Sequence, residues 1–131
     1  MAFLIHSVDD GRNIPIEYLP CSAITPKIGM ALVMSSGKLA IAAGTNKPAY
    51  ICMTEKAAAV TAGDIIPVIR VDSDIIFETE FSATASSINI GDKVTLHASD
   101  GMRVTATTTN GVAEVVYMDG TASGSMCRVR F

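Results

Sequence analysis

Two sets of side chains in this sequence have the types and spacing that could do chemistry. The first is a run of carboxylates, Asp72, Asp74, Glu78 and Glu80, which could gather a hard cation such as Ca²⁺. That requires a loop that bends its oxygens inward, as in the D-x-D-x-D-G pattern of an EF-hand. Here the carboxylates lie on a strictly alternating stretch, where residues two apart stand nearly 7 Å apart along one face. They read as a solvated strand face that also discourages edge-to-edge pairing. The second set is His6 and His97 with Cys21, Cys52 and Cys127, the components of a Cys–His nucleophile. No local signature brings a cysteine beside a histidine, and Cys52 and Cys127 sit inside apolar strand patterns, as small buried hydrophobes do. The motifs G-x-S-x-G, H-E-x-x-H and C-x-x-C are missing. Gly63-Asp64 and Gly91-Asp92 precede strands, so they are turns and not phosphate-cradling loops. The reading is of no catalytic residue, no metal site and no cofactor.

The elements that would have to position such groups are short strands. Residues 30–34, 38–42, 49–53 and 65–71 are predicted strands, followed by strict alternation over 71–81. There Val71, Ser73, Ile75, Phe77, Thr79 and Phe81 share one face. Residues 93–97, 103–109, 112–118 and 126–131 are the later strands. Asn110-Gly111 is the strongest hairpin signal, because both residues tolerate positive φ. Pro67 predicts an edge strand or a bulge. The one predicted helix is a turn or two over 55–60.

The chain is also written twice. Ile28-Gly29, Gly37, Asn46 and Ala49–Met53 have counterparts in Ile90-Gly91, Gly101, Asn110 and 113–118. Gly63-Asp64 through Val71 matches Gly124 through Phe131. The expected fold is all-β, a small barrel or compact sandwich of short strands with pseudo-twofold internal duplication and at most one short helix. Two similar units, 28–71 and 90–131, form a single β domain over 28–131. Residues 1–27, broken by Pro15, Pro20 and Pro26, read as an extended N-terminal arm. Its apolar residues Phe3, Leu4, Ile5, Ile14, Ile16, Tyr18 and Leu19 are the candidate interaction residues.

Composition narrows the partners. The chain has 131 residues, 49% hydrophobic and 18% charged, with a net charge of −3. No basic stripe could follow a phosphate backbone, so no nucleic-acid partner is expected. No window holds the roughly 18 consecutive apolar residues of a membrane helix, so no membrane partner is expected. The first residues lack the basic and apolar regions of a signal peptide. The apolar excess points to burial between subunits, hence a homo-oligomer.

The repeated unit resembles the small β proteins of tailed-phage heads, namely lambda-type head decoration proteins and related prophage capsid-cement proteins. The resemblance is carried by Gly29-Met30-Ala31-Leu32, Gly37-Lys38-Leu39, Ala49-Tyr50-Ile51-Cys52-Met53 and Gly63-Asp64-Ile65-Ile66-Pro67-Val68-Ile69-Arg70. The stretch from Gly91 to Phe131 is similar in kind. The resemblance implies a non-enzymatic protein, made in the bacterial host cytoplasm and resident in the virion. It would bind the major capsid protein or another virion protein, as a trimer. Two further readings stand beside it: a head–tail connector or tail-tube subunit, and a small-ligand-binding or accessory β-barrel module.

Overall fold

Alternating apolar residues interrupted by glycine turns produce ten short strands in a computed structural model that describes residues 2–131. They are β1 (Leu4–Val8), β2 (Ile16–Pro20), β3 (Ala31–Ser35), β4 (Lys38–Ile41), β5 (Tyr50–Cys52), β6 (Ile65–Arg70), β7 (Ile75–Glu80), β8 (Lys93–Val94), β9 (Ala113–Met118) and β10 (Met126–Arg130). They form two five-stranded antiparallel sheets, ordered β2-β6-β5-β3-β4 and β1-β7-β10-β9-β8. The protein is all-β, a compact sandwich with no helix among the described residues. The segment 55–60 is irregular because its N–H groups bond across the fold. Lys56 N donates to Pro26 O at 3.0 Å and Val60 N to Ile24 O at 2.9 Å. Tertiary bonds replace the i→i−4 bonds that so short a helix could not sustain alone.

The duplication is visible in the pairing. β2-β6-β5-β3 corresponds strand for strand to β7-β10-β9-β8, and the counterpart of β4 is reduced to a bridge at Val104. Each unit then curls back on itself. Cys21, just after β2, bridges in parallel to Leu39, and Phe81, just after β7, bridges in parallel to Val104. The supporting bonds are repeated. Ser22 N donates to Leu39 O at 2.9 Å and Ser82 N to Val104 O at 2.8 Å. Gly29 N donates to Cys52 O and Gly91 N to Val115 O, both at 2.8 Å. Gly29 and Gly91 share a left-handed φ of 82° and 98°, which non-glycine residues rarely adopt. Closure creates two matched interiors. Cys21, Leu32, Leu39, Cys52, Ile66 and Val68 fill the first, and Phe81, Val94, Val104, Val115, Cys127 and Val129 occupy the equivalent places in the second.

Several expectations are corrected. The stretch 1–27 is not an arm, although Met1 lies outside the described residues. β1 pairs with β7 and β2 pairs along its whole length with β6. Phe3 is only 1% exposed, with its ring edge-on to Phe131 at 5.4 Å, and Phe131 in turn lies 5.8 Å from Phe77. The prolines stand where β2 ends or in the loops, so they cost no ladder bonds. Pro67 is in neither an edge strand nor a bulge, since β6 is flanked by β2 and β5. It accepts from Met53 N at 3.0 Å and cannot return the bond, so β5 stops at Cys52. The alternation predicted from residue 71 begins at Ile75; 72–74 form the turn from β6. Residues 103–109 make only isolated bridges through Val104. Asn110 has positive φ, 56°, but Gly111 does not. Gly111 is required there by space, because an added Cβ would lie 2.1 Å from the Lys93 carbonyl oxygen. The tight hairpin with two positive φ values is Ser36-Gly37, between β3 and β4.

Phe3→Ala tests the integration of the N-terminus. It removes a buried ring from a three-ring contact and is expected to lower the unfolding free energy by about 3–5 kcal/mol. Urea unfolding followed by far-UV circular dichroism checks this, and an unchanged midpoint would restore the arm.

Candidate interaction surface

Strand alternation divides β2 into two faces. Glu17 and Leu19 point one way, and Ile16, Tyr18 and Pro20 point the other. The register Ile16↔Ile69, Tyr18↔Pro67 and Pro20↔Ile65 brings β6 residues onto that second face. Ile51 on β5 joins it opposite Ile69. The face is apolar throughout. Where the second unit does not cover it, it is open: Tyr18 is 67% exposed, Ile65 58%, and Ile16 is exposed beside them. Ile69 also lines an adjoining groove of about 290 Å³, whose floor is Phe3 and Ile51 and whose rim includes Leu4, Ile5 and Ile28. Those three rim residues are exposed as well. The exposed group Ile16, Tyr18 and Ile65 thus adjoins, through Ile69, a groove rimmed by Leu4, Ile5 and Ile28, and clustered apolar exposure of this kind marks a binding region.

Of the candidate interaction residues, Leu4, Ile5, Ile16 and Tyr18 are brought together on this surface. Phe3 lies beneath it as core. Ile14 and Leu19 are partly buried and pack against the two core clusters instead. Sequence reasoning missed Ile28 and Ile65. The signal for Ile65 was present: in the run Ile65-Ile66-Pro67-Val68, alternation sends Ile66 and Val68 inward, so Ile65 must face out. Ile28 has an exposed repeat counterpart in Ile90.

The groups capable of chemistry are placed differently. Asp72 and Asp74 belong to the turn before β7, where Arg12 binds both; Arg12 also lies 3.4 Å from Asp10. Glu78 is paired with Arg128 at 3.2 Å and lies 3.8 Å from His6. The Arg128 guanidinium sits 4.5 Å above the Tyr117 ring. Thus the acidic run is divided between a loop cluster and a cross-strand pair. Among the described residues no three His, Cys, Asp or Glu side chains come together to hold an ion. His97 lies between Asp100, at 3.3 Å, and Arg103, at 3.2 Å. Burial works to raise the Asp100 carboxyl, but the Met102 N–H, Arg103 and His97 outweigh it and hold it below the ordinary range.

All three thiols are buried and free. Burial raises Cys21 and Cys52, and raises Cys127 to about 12, with Glu80 adding to the last. A thiol kept protonated in an apolar interior is not a nucleophile. Compared with known proteins, the chain matches no family model and no curated protein.

Two results are expected from these thiols. In the native protein at pH 8 none reacts with a thiol-specific chromogenic disulfide, while all three react in urea. The Cys127 thiol is raised in the folded state, so the stability linked to it is complete below pH about 9 and lost as pH rises toward about 12. Denaturant titrations at pH 8 and pH 10.5 check the second result; the same stability difference between wild type and Cys127→Ala at both pH values would refute it.

Proposed function

We propose that this is a non-enzymatic structural protein that binds and stabilises an assembled shell, as a head decoration or cement protein of a tailed phage or prophage. Its partner is the major capsid protein or another virion protein, and it acts as a homo-oligomer, a trimer by the resemblance of its repeated unit. The observation that carries the reading is the exposed apolar surface of β1, β2 and β6. A rigid, preformed apolar face suits docking onto an ordered protein lattice, because little ordering entropy is lost on binding. The most exposed ring, Tyr18, belongs to it, and tyrosine is enriched among residues that dominate binding energy. Its pair with Pro67 holds it on a strand rather than on a loop.

The test is co-sedimentation of the purified protein with shells assembled from the major capsid protein, for wild type and for a Tyr18→Asp, Ile65→Asp double variant. Both positions are exposed, so the thermal midpoint should shift little, while shell affinity should fall by about tenfold or more. Retained binding by the double variant would exclude this surface, and absence of wild-type binding would exclude the capsid partner. Sedimentation equilibrium reads the oligomer directly.

A further inference from the structure

A second site lies where the two units meet, lined by none of the exposed apolar residues around Tyr18. The loop before β5 contributes Lys47, and the turn before β7 contributes Ser73. β8, β9 and β10 contribute Lys93, Glu114 and Arg130, and the cleft they enclose measures about 320 Å³. The register explains the grouping: Lys93 and Arg130 are both opposite Glu114 on neighbouring strands, so their side chains share one face. Three cations thus face one carboxylate in a protein whose net charge is −3.

The cations are also underused. Arg12, Arg70, Arg103 and Arg128 each hold a carboxylate. Among the described residues Arg130, Lys47 and Lys93 form no ion pair. Arg130 makes a single long bond, Nη1 to Ser73 O at 3.5 Å, and its Nε is shielded from solvent without an acceptor. Buried polar groups are nearly always satisfied, and a guanidinium left short of acceptors calls for an explanation.

We propose that this cleft binds carboxylate side chains of an acidic protein segment. The guanidinium offers a planar fork matched to a carboxylate, and the two ammonium groups add charge without fixed geometry. Val112 and Phe131 in the wall receive the methylene stems of such side chains. Nucleic acid is disfavoured, because the cations form a spot rather than a stripe and the chain as a whole has a net charge of −3. The site stands independently of the shell-binding reading, since none of the surface residues around Tyr18 lines it.

The experiment is an NMR titration of the isotopically labelled protein with a hexaglutamate peptide and, separately, with inorganic phosphate. The Arg130 Nε–H and the amides of Gly111 and Val112 are the reporters. The peptide is expected to shift them saturably, and raising the salt toward physiological strength should weaken it. Lys47→Gln and Lys93→Gln, both at exposed positions, should weaken binding roughly threefold each and about tenfold together, with the amide spectrum otherwise unchanged. Unmoved reporters, equal affinity in the double variant, or phosphate saturating the cleft where the peptide does not would each overturn the assignment.

Discussion

One backbone contact in each unit holds the architecture together. Cys21 lies parallel to Leu39, and Phe81 lies parallel to Val104. Without these contacts each sheet would be an open, twisted ribbon with one face needing cover. With them, each sheet turns its inner face on itself, and interiors of half a dozen side chains become dry. The two closing residues are fully buried, and their N–H groups are held by Asp64 O at 2.9 Å and Ser125 O at 3.0 Å. The strands are only two to six residues long, so closure, not strand length, lets so small a sheet bury a core. A flat pair of such sheets would leave far more ladder groups at open edges.

Closure also decides what is left outside. The outer face of β2, β5 and β6 cannot be buried within its own unit, because the inner face has taken Leu32, Cys52, Ile66 and Val68. Part of it is covered by Phe3 and by the second unit, which places Ile51 and Ile69 in the larger core cluster. The remainder, around Tyr18 and Ile65, has no cover among the described residues. This accounts for a composition richer in apolar residues than a lone domain of this size requires. The same geometry locates the cationic cleft, which opens where the units abut and where Lys47 of the first faces Lys93 and Arg130 of the second. The two surfaces differ in chemistry because one is the outside of a sheet and the other is a seam between sheets.

Charge placement follows a simple rule elsewhere in the molecule. Carboxylates are held by arginines brought to them by the fold: Arg12 at the turn before β7, Arg128 beside Glu78, Arg70 against Glu17, Arg103 against Asp100. These pairs are partly exposed and individually weak. Their effect is to pin turns and strand edges, and among the described residues Arg130 is the arginine that holds no carboxylate.

By itself, the sequence determined the all-β class, the duplication and most of the interior. Period-two alternation needs no tertiary information to assign Ile75, Phe77 and Thr79 to one face, and positive φ at Gly29, Gly91, Gly63 and Gly124 follows from glycines repeated at matched turns. Of the seven candidate interaction residues, Leu4, Ile5, Ile16 and Tyr18 are exposed, and nothing in the local pattern separates them from Phe3, Ile14 and Leu19, which are not. What the tertiary structure alone decided is where the chain pairs with segments far away. Residues 4–8 and 16–20 became integral strands because β7 and β6 offered unpaired edges. The short alanine-rich helix was lost to bonds that Lys56 and Val60 donate to the Pro26 and Ile24 carbonyls, and the carboxylate run was split by an arginine sixty positions earlier in the chain. The asymmetry between Phe3, buried, and Leu4, exposed, rests on Phe131 arriving from the other end of the chain. Local pattern fixes which way a side chain alternates, but burial depends on what meets it, and that is set by long-range pairing.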